Sequence, residues 1–399
     1  MSAASLAPPH NVVARIAPFA LMVFFTFLAI AMPLATLPLQ IHDVLGFGNV
    51  VVGIAVGLQS LVTLLTRQYA GTLCDRRGAK RSVLFGGALS VVAGAIYLVA
   101  ASPAFAAPTA LGILLAGRAL SGVGESLVMT GALSWGIAAV GGHHTGKVMV
   151  WVGIGMYAAI AAGGPLGIAL MNTHGAVAGF AAVSIATVVA AALGAAPAVF
   201  MAGAAPAAGE RLPFFRVAGR IAPFGAGLAL ATVGFSALAG FAALDFQTKG
   251  WPGAGFALAC FGLAYIATRM IFGGWPDRFG GARVAAASLM VECAGLIMLW
   301  LAFHPALAIA GAILTGAGFA LVFPSFGIEA MKQVPPANRG SAVGAYAAFF
   351  DVGIAAGGPV AGFIAGTFGY PAAFAAGAFG TVLALAACRY ARSAGVPPV

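Results

Sequence analysis

Arg118 and Glu125 lie seven residues apart inside one long apolar run. A charge at the centre of a spanning helix costs on the order of 2.5–3.5 kcal/mol on insertion scales, so such residues are retained for a reason. Seven residues is nearly two helical turns, which puts both on one face about 10 Å apart along the axis. At that spacing they do not pair directly, but water or a substrate can bridge them. A carboxyl in apolar surroundings suits a group that takes up and releases protons. Arg118 stays charged and can bias a nearby acid or hold an anionic substrate group. Asp351, between Phe350 and Val352, is a second acid at depth, and Glu292 is a more peripheral third. Gln40, Gln59 and Tyr157 are polar candidates for lining a cavity. Asp43 and Asp245 read as water-accessible helix ends, and Glu329 as a partner for Lys332.

The elements that position these groups follow from composition. Of 399 residues, 62% are hydrophobic and 7% charged, whereas a soluble chain carries roughly 25% charged residues. The solvent for most of this chain is therefore lipid. The 57 glycines fit that solvent, because small residues let membrane helices approach closely. The net charge of +10 is spread over short loops, so it is a topology signal and not a nucleic-acid surface. Cys74, Cys260, Cys293 and Cys388 are scattered and have neither metal nor disulfide spacing. His143-His144 has no further ligands nearby. No phosphate-cradling loop and no nucleophile–base arrangement appears, which argues against ATP drive, an enzyme and any cofactor. Residues 1–14 lack the pattern of a cleaved signal. Trp135, Trp151, Trp251 and Trp275 read as interface anchors.

Twelve apolar segments reach spanning length, about 20 residues. They lie near 16–38, 49–70, 82–101, 109–130, 148–170 and 176–200, then near 220–243, 254–275, 284–302, 306–330, 340–366 and 372–390. This predicts an all-α membrane protein of two six-helix bundles, residues 1–200 and 220–399, joined by a cytoplasmic linker at 201–219. With both termini cytoplasmic, 17 of the 19 Lys and Arg residues fall on the cytoplasmic side. Only Lys249 lies opposite, and Arg118 is at depth. That bias sets the orientation.

The halves repeat each other. Arg15-Ile16-Ala17-Pro18-Phe19 opens the first span and Arg220-Ile221-Ala222-Pro223-Phe224 the seventh. The loop Gly71-Thr72-Leu73-Cys74-Asp75-Arg76-Arg77-Gly78 returns as Gly273-Gly274-Trp275-Pro276-Asp277-Arg278-Phe279-Gly280. Arg67 and Arg269 stand eight residues before those aspartates. Gly163-Gly164-Pro165 in the fifth span returns as Gly357-Gly358-Pro359 in the eleventh. Shifting Arg118 and Glu125 by 194 lands on Ala312 and Phe319, so the repeat is broken where chemistry is expected.

Gly71-x-x-x-Asp75-Arg76-x-Gly78-x-Lys80-Arg81 resembles the signature loop of the major facilitator superfamily, and the likeness runs over the whole chain. Arg118 with Gly122 and Gly124 resembles the family's fourth-helix motif. Gly155 through Gly167, with Gly164-Pro165, resembles the fifth-helix motif of proton-coupled exporters, and Gly124-Glu125-Ser126 with Gly146 through Gly153 is similar to arabinose-efflux-like and YhhS-like bacterial exporters. The resemblance implies twelve helices in two pseudo-symmetric bundles that alternate access to a central site. It implies that Asp75, with Arg76, faces the N-terminus of the eleventh span near Gly340, and that Asp277, with Arg278, faces the fifth near Gly146. These would be cytoplasmic latches that break as the halves rock. The Gly-Pro segments, at Pro165 and Pro359, would act as matching gates, as close-packing sites, or as both. The expected function is proton-driven efflux of a small organic molecule across the bacterial inner membrane by a functional monomer. Import by proton symport or uniport stays open. A membrane sensor on such a scaffold is a remoter reading, which the short tails disfavour.

Overall fold

The structure, a computed structural model, describes residues 12–47, 49–204, 209–252 and 256–393. Lipid offers no partner for a backbone N–H or C=O, so a spanning chain must satisfy them within each segment. The described residues accordingly form helices joined by short turns. The helices are α1 (Val12–Pro38), α2 (Asn49–Arg77), α3 (Ala79–Ala100), α4 (Ala107–Val140), α5 (Thr145–His174), α6 (Ala176–Phe200), α7 (Phe214–Thr248), α8 (Phe256–Phe272), α9 (Trp275–Phe279), α10 (Gly281–Trp300), α11 (Pro305–Lys332), α12 (Arg339–Phe368) and α13 (Tyr370–Ser393). A π-helical stretch, Leu39–Val44, follows α1. Short α9 apart, these are twelve helices in two pseudo-symmetric sets of six. Among the described residues nine are long and apolar enough to cross a membrane on that basis alone.

The chain forms two compact units. The first is Met1–His144 with Trp151–Pro206, and the second is Thr145–Val150 with Ala207–Val399. α5 crosses this division, its first six residues grouping with the second unit. In the first unit α4 packs on α1, α2 and α3, and α6 packs on α1 and α3. In the second, α11 packs on α7, α8 and α10, and α13 packs on α7 and α10. The partners of α4 and α6 in the first unit are thus matched by those of α11 and α13 in the second.

Several elements differ from the sequence reading. α7 begins at Phe214, inside the expected linker. Pro213 starts it, its carbonyl accepting from Arg216 N at 2.9 Å and Val217 N at 3.1 Å. Asn338 pins the preceding chain, accepting from Leu212 N and donating to the Glu210 carbonyl, each at 2.8 Å. Asp75, Arg76 and Arg77 lie in the last turn of α2 and not in a loop, because Gly78 at φ 89° reverses the chain by itself. α4 runs on to Val140, ten residues past the expected end, and stops at Gly141 with φ 92°. Trp135 is on that extension. It is 2% exposed and meets Phe19 edge-on at 5.4 Å, a core residue rather than an interface anchor.

Candidate functional site

α4 meets the α2 backbone at Gly122, which has no side chain. A Cβ on Gly122 would lie 2.5 Å from the Gln59 carbonyl oxygen and 3.2 Å from Thr63 Oγ1. Only glycine permits that approach, and Thr63 Oγ1 donates to the Gly122 carbonyl at 3.1 Å. The approach brings α2 positions 55, 59 and 63, each one turn apart, against Arg118, Gly122 and Glu125 of α4. Gln59 Nε2 donates to Glu125 Oε2 at 2.8 Å, and Thr63 Oγ1 lies 3.2 Å from the same oxygen. Arg118 Nε donates to the Ala55 carbonyl at 3.1 Å.

Arg118, Gln59 and Thr63 are buried and Glu125 is half-buried. One carboxylate oxygen accepts from the Gln59 amide, and the Thr63 hydroxyl beside it has a single proton to share between that oxygen and the Gly122 carbonyl. Neither the Gln59 amide nor the Thr63 hydroxyl titrates at ordinary pH. The Arg118 guanidinium, nearly two turns away on the same helix, supplies a fixed positive field.

Thr63 was not singled out in the sequence. It stands four residues after Gln59, hence on the same face, and that spacing was the available signal. Gln40 lies in the π-helical stretch, buried, with Oε1 lacking a hydrogen-bond partner among the described residues. Tyr157 is half-buried on α5, and Asp351 is half-buried on α12 in the second unit.

Other acids fall differently from expectation. Asp245 is 3% exposed and ion-paired to Lys249 at 2.9 Å, so it is not a wet helix end. The salt bridge lets a carboxylate be buried. Glu329 does pair with Lys332, at 3.0 Å, and also accepts from Ala282 N at 3.2 Å. Glu292 is fully buried on α10, with both carboxyl oxygens unpartnered among the described residues. It occupies the Ser90 position of the repeat, and room for it comes from Gly234 and Gly318.

Asp277 caps α5. Its Oδ1 accepts from Gly146 N and its Oδ2 from Lys147 N, both at 3.0 Å. A carboxylate at a helix N-terminus satisfies free N–H groups and faces the positive end of the dipole. Gly146 is required there, since a Cβ would lie 2.9 Å from Asp277 Oδ1. Gly273 admits Val150 of α5 in the same way, at 2.8 Å. Arg269 crosses nearby, donating from Nε to the Ala320 carbonyl at 2.9 Å and lying over the Tyr265 ring. Arg278 lies over Phe279. Asp75 is half-buried and Arg76 and Arg81 are exposed, while Lys80 Nζ donates to the Met201 carbonyl at 2.7 Å. Gly71 and Gly78 are buried.

The two Gly-Gly-Pro segments share one geometry. A Cβ on Gly163 would meet Ala31 Cβ of α1 at 2.5 Å, and one on Gly357 would meet Ser236 Oγ of α7 at 2.9 Å. Gly164 and Gly358 face open space, and Pro165 and Pro359 are exposed within otherwise continuous helices.

The family described as Major Facilitator Superfamily matches residues 19–244 and 224–398. An MFS-type transporter of Burkholderia mallei (strain SAVP1) is 42% identical over 374 residues, covering 93% of this chain and 91% of that protein. Among solved structures, the MFS transporter FucP in its outward conformation superposes with a TM-score of 0.79 at 14% identity, covering 96% of this chain and 99% of FucP. The proton:xylose symporter XylE, bound to 6-bromo-6-deoxy-D-glucose, gives a TM-score of 0.77 at 14% identity, covering 97% of each chain. At these identities the structural likeness is one of fold.

Proposed function

The chain belongs to the Major Facilitator Superfamily, and on that premise we propose that it is a proton-coupled exporter of a small organic molecule. The observation that carries this reading is Glu125, held on one oxygen by Gln59 and Thr63 with Arg118 on the same helix. In this reading Glu125, together with Asp351, loads a proton from outside and releases it inside, and the substrate competes with the proton. Export is supported by the Gly155–Gly167 segment of α5, and the likeness to arabinose-efflux-like and YhhS-like carriers by Gly124-Glu125-Ser126 and Gly146 through Gly153. The protein acts as a monomer in the bacterial inner membrane with both termini cytoplasmic, as the distribution of Lys and Arg supports. The halves 1–200 and 220–399 alternate, and the Asp277 cap on α5 is a latch that opens in the cycle. Asp75 serves as its counterpart in the other copy. The glycine seams of α5 and α12 hold these helices close to α1 and α7 while the Gly-Pro positions let them bend.

The test is transport of candidate substrates in proteoliposomes under an imposed pH gradient, with flux direction read in everted vesicles. Efflux that rises with the inward proton gradient supports the proposal. Flux indifferent to the gradient removes proton coupling, and accumulation along with protons replaces export by symport.

A further inference from the structure

Where α2 meets α3 the two helices leave a cavity of about 410 Å³ open at the surface of the first unit. Tyr69, Leu73 and Arg77 line it from α2 at successive four-residue steps, so they form one stripe. Arg81, Leu84 and Phe85 line it from α3 at helical spacing. Because Gly78 turns the chain back at once, both arginines lie at the same end and the apolar side chains run below them. Tyr69 is 53% exposed and Phe85 51%.

Three observations give this groove an occupant. Arg77 and Arg81 are exposed and form no ion pair among the described residues, whereas neighbouring Lys80 is occupied by the Met201 carbonyl. From Arg77 to Tyr69 is about 12 Å of helix, close to the ~15 Å hydrocarbon depth of one leaflet. The repeat keeps only part of the feature in the other copy: Arg283 stands at the Arg81 position, but Phe279 at the Arg77 position and Ala287 at the Phe85 position, so the arginine pair is confined to the first unit.

We propose that the groove binds one anionic phospholipid. Its phosphate sits between the Arg77 and Arg81 guanidiniums, and an acyl chain lies along Leu73, Leu84 and Phe85. Guanidinium pairs suit phosphate oxygens, and long basic side chains place their heads at the interface. This site does not depend on the transported substrate or on proton coupling.

Native mass spectrometry of the delipidated full-length protein, titrated with phosphatidylglycerol or phosphatidylcholine, tests it. Phosphatidylglycerol should be retained at least five-fold more strongly, and each arginine removed should weaken it about five-fold. Arg77→Ala with Arg81→Ala should lose that preference, and Arg76→Ala should keep it. If the double variant does not fold, Arg77→Gln alone carries the test. Phe85→Ser should weaken both lipids. Equal retention of the two lipids overturns the proposal, as does undiminished phosphatidylglycerol retention without the arginines. Displacement of the lipid by inorganic phosphate alone would show an anion site instead and equally overturn it.

Discussion

Gln59 Nε2 donates to Glu125 Oε2 at 2.8 Å, at the crossing where the second unit packs Phe261 against Phe319, ring centroids 6.4 Å apart. The backbone crossing is shared. A Cβ on Gly122 would lie 2.5 Å from the Gln59 carbonyl oxygen, and one on Gly316 would lie 2.3 Å from that of Phe261. Thr63 likewise has Tyr265 as its counterpart, whose ring centroid is 6.1 Å from that of Phe319. Phe235 stacks on Phe319 at 5.6 Å and completes an apolar cluster. One glycine-mediated crossing thus carries polar chemistry in one copy and a filled aromatic core in the other.

Glu125→Gln keeps the size and the polar partners of the side chain but cannot ionise. It should abolish the pH dependence of transport in proteoliposomes while leaving the melting temperature near that of the parent. Full gradient-driven transport in this variant would remove Glu125 from the coupling path.

Gly122→Ala should separate α2 from α4. The added methyl meets backbone, so the cost is about 1–3 kcal/mol, and the Gln59–Glu125 bond should lengthen with it. A denaturant titration should show the loss in stability, and transport should fall along with it. An unchanged midpoint would mean the crossing is looser than its geometry indicates.

The cap on α5 predicts a graded series. Asp277→Ala leaves Gly146 N and Lys147 N without acceptors and should cost about 0.5–2 kcal/mol. Asp277→Asn retains hydrogen bonding but loses the charge–dipole term, so its stability cost should be smaller. Asp75→Asn, in the repeated position, should cut transport with normal expression. Parental transport rates in both Asn variants would end the latch reading.

The Gly-Gly-Pro segments separate packing from bending. Gly163→Ala and Gly357→Ala each place a methyl where a neighbour lies within 3 Å, and each should destabilise by about 1–3 kcal/mol. Gly164→Ala and Gly358→Ala enter open space and should be neutral or slightly stabilising. Thermal unfolding of the four variants side by side checks the pattern. Equal effects at the packed and the open glycine of either segment would contradict it.

The sequence alone determined the membrane class, the twelve long helices, the repeat and the expectation that Glu125 and Arg118 share a face. Hydropathy, the basic-residue bias and helical periodicity are local properties, and lipid leaves a spanning segment little choice but a helix. Tertiary structure alone decided which groups meet. Gln59 and Glu125 are 66 residues apart, and their bond depends on how two helices rotate and how closely a single glycine lets them approach. For the same reason the burial of Trp135 and Glu292 and the Lys249 pairing of Asp245 were not legible. A residue's depth and neighbours are set by the other helices of its bundle, and those are distant in the chain.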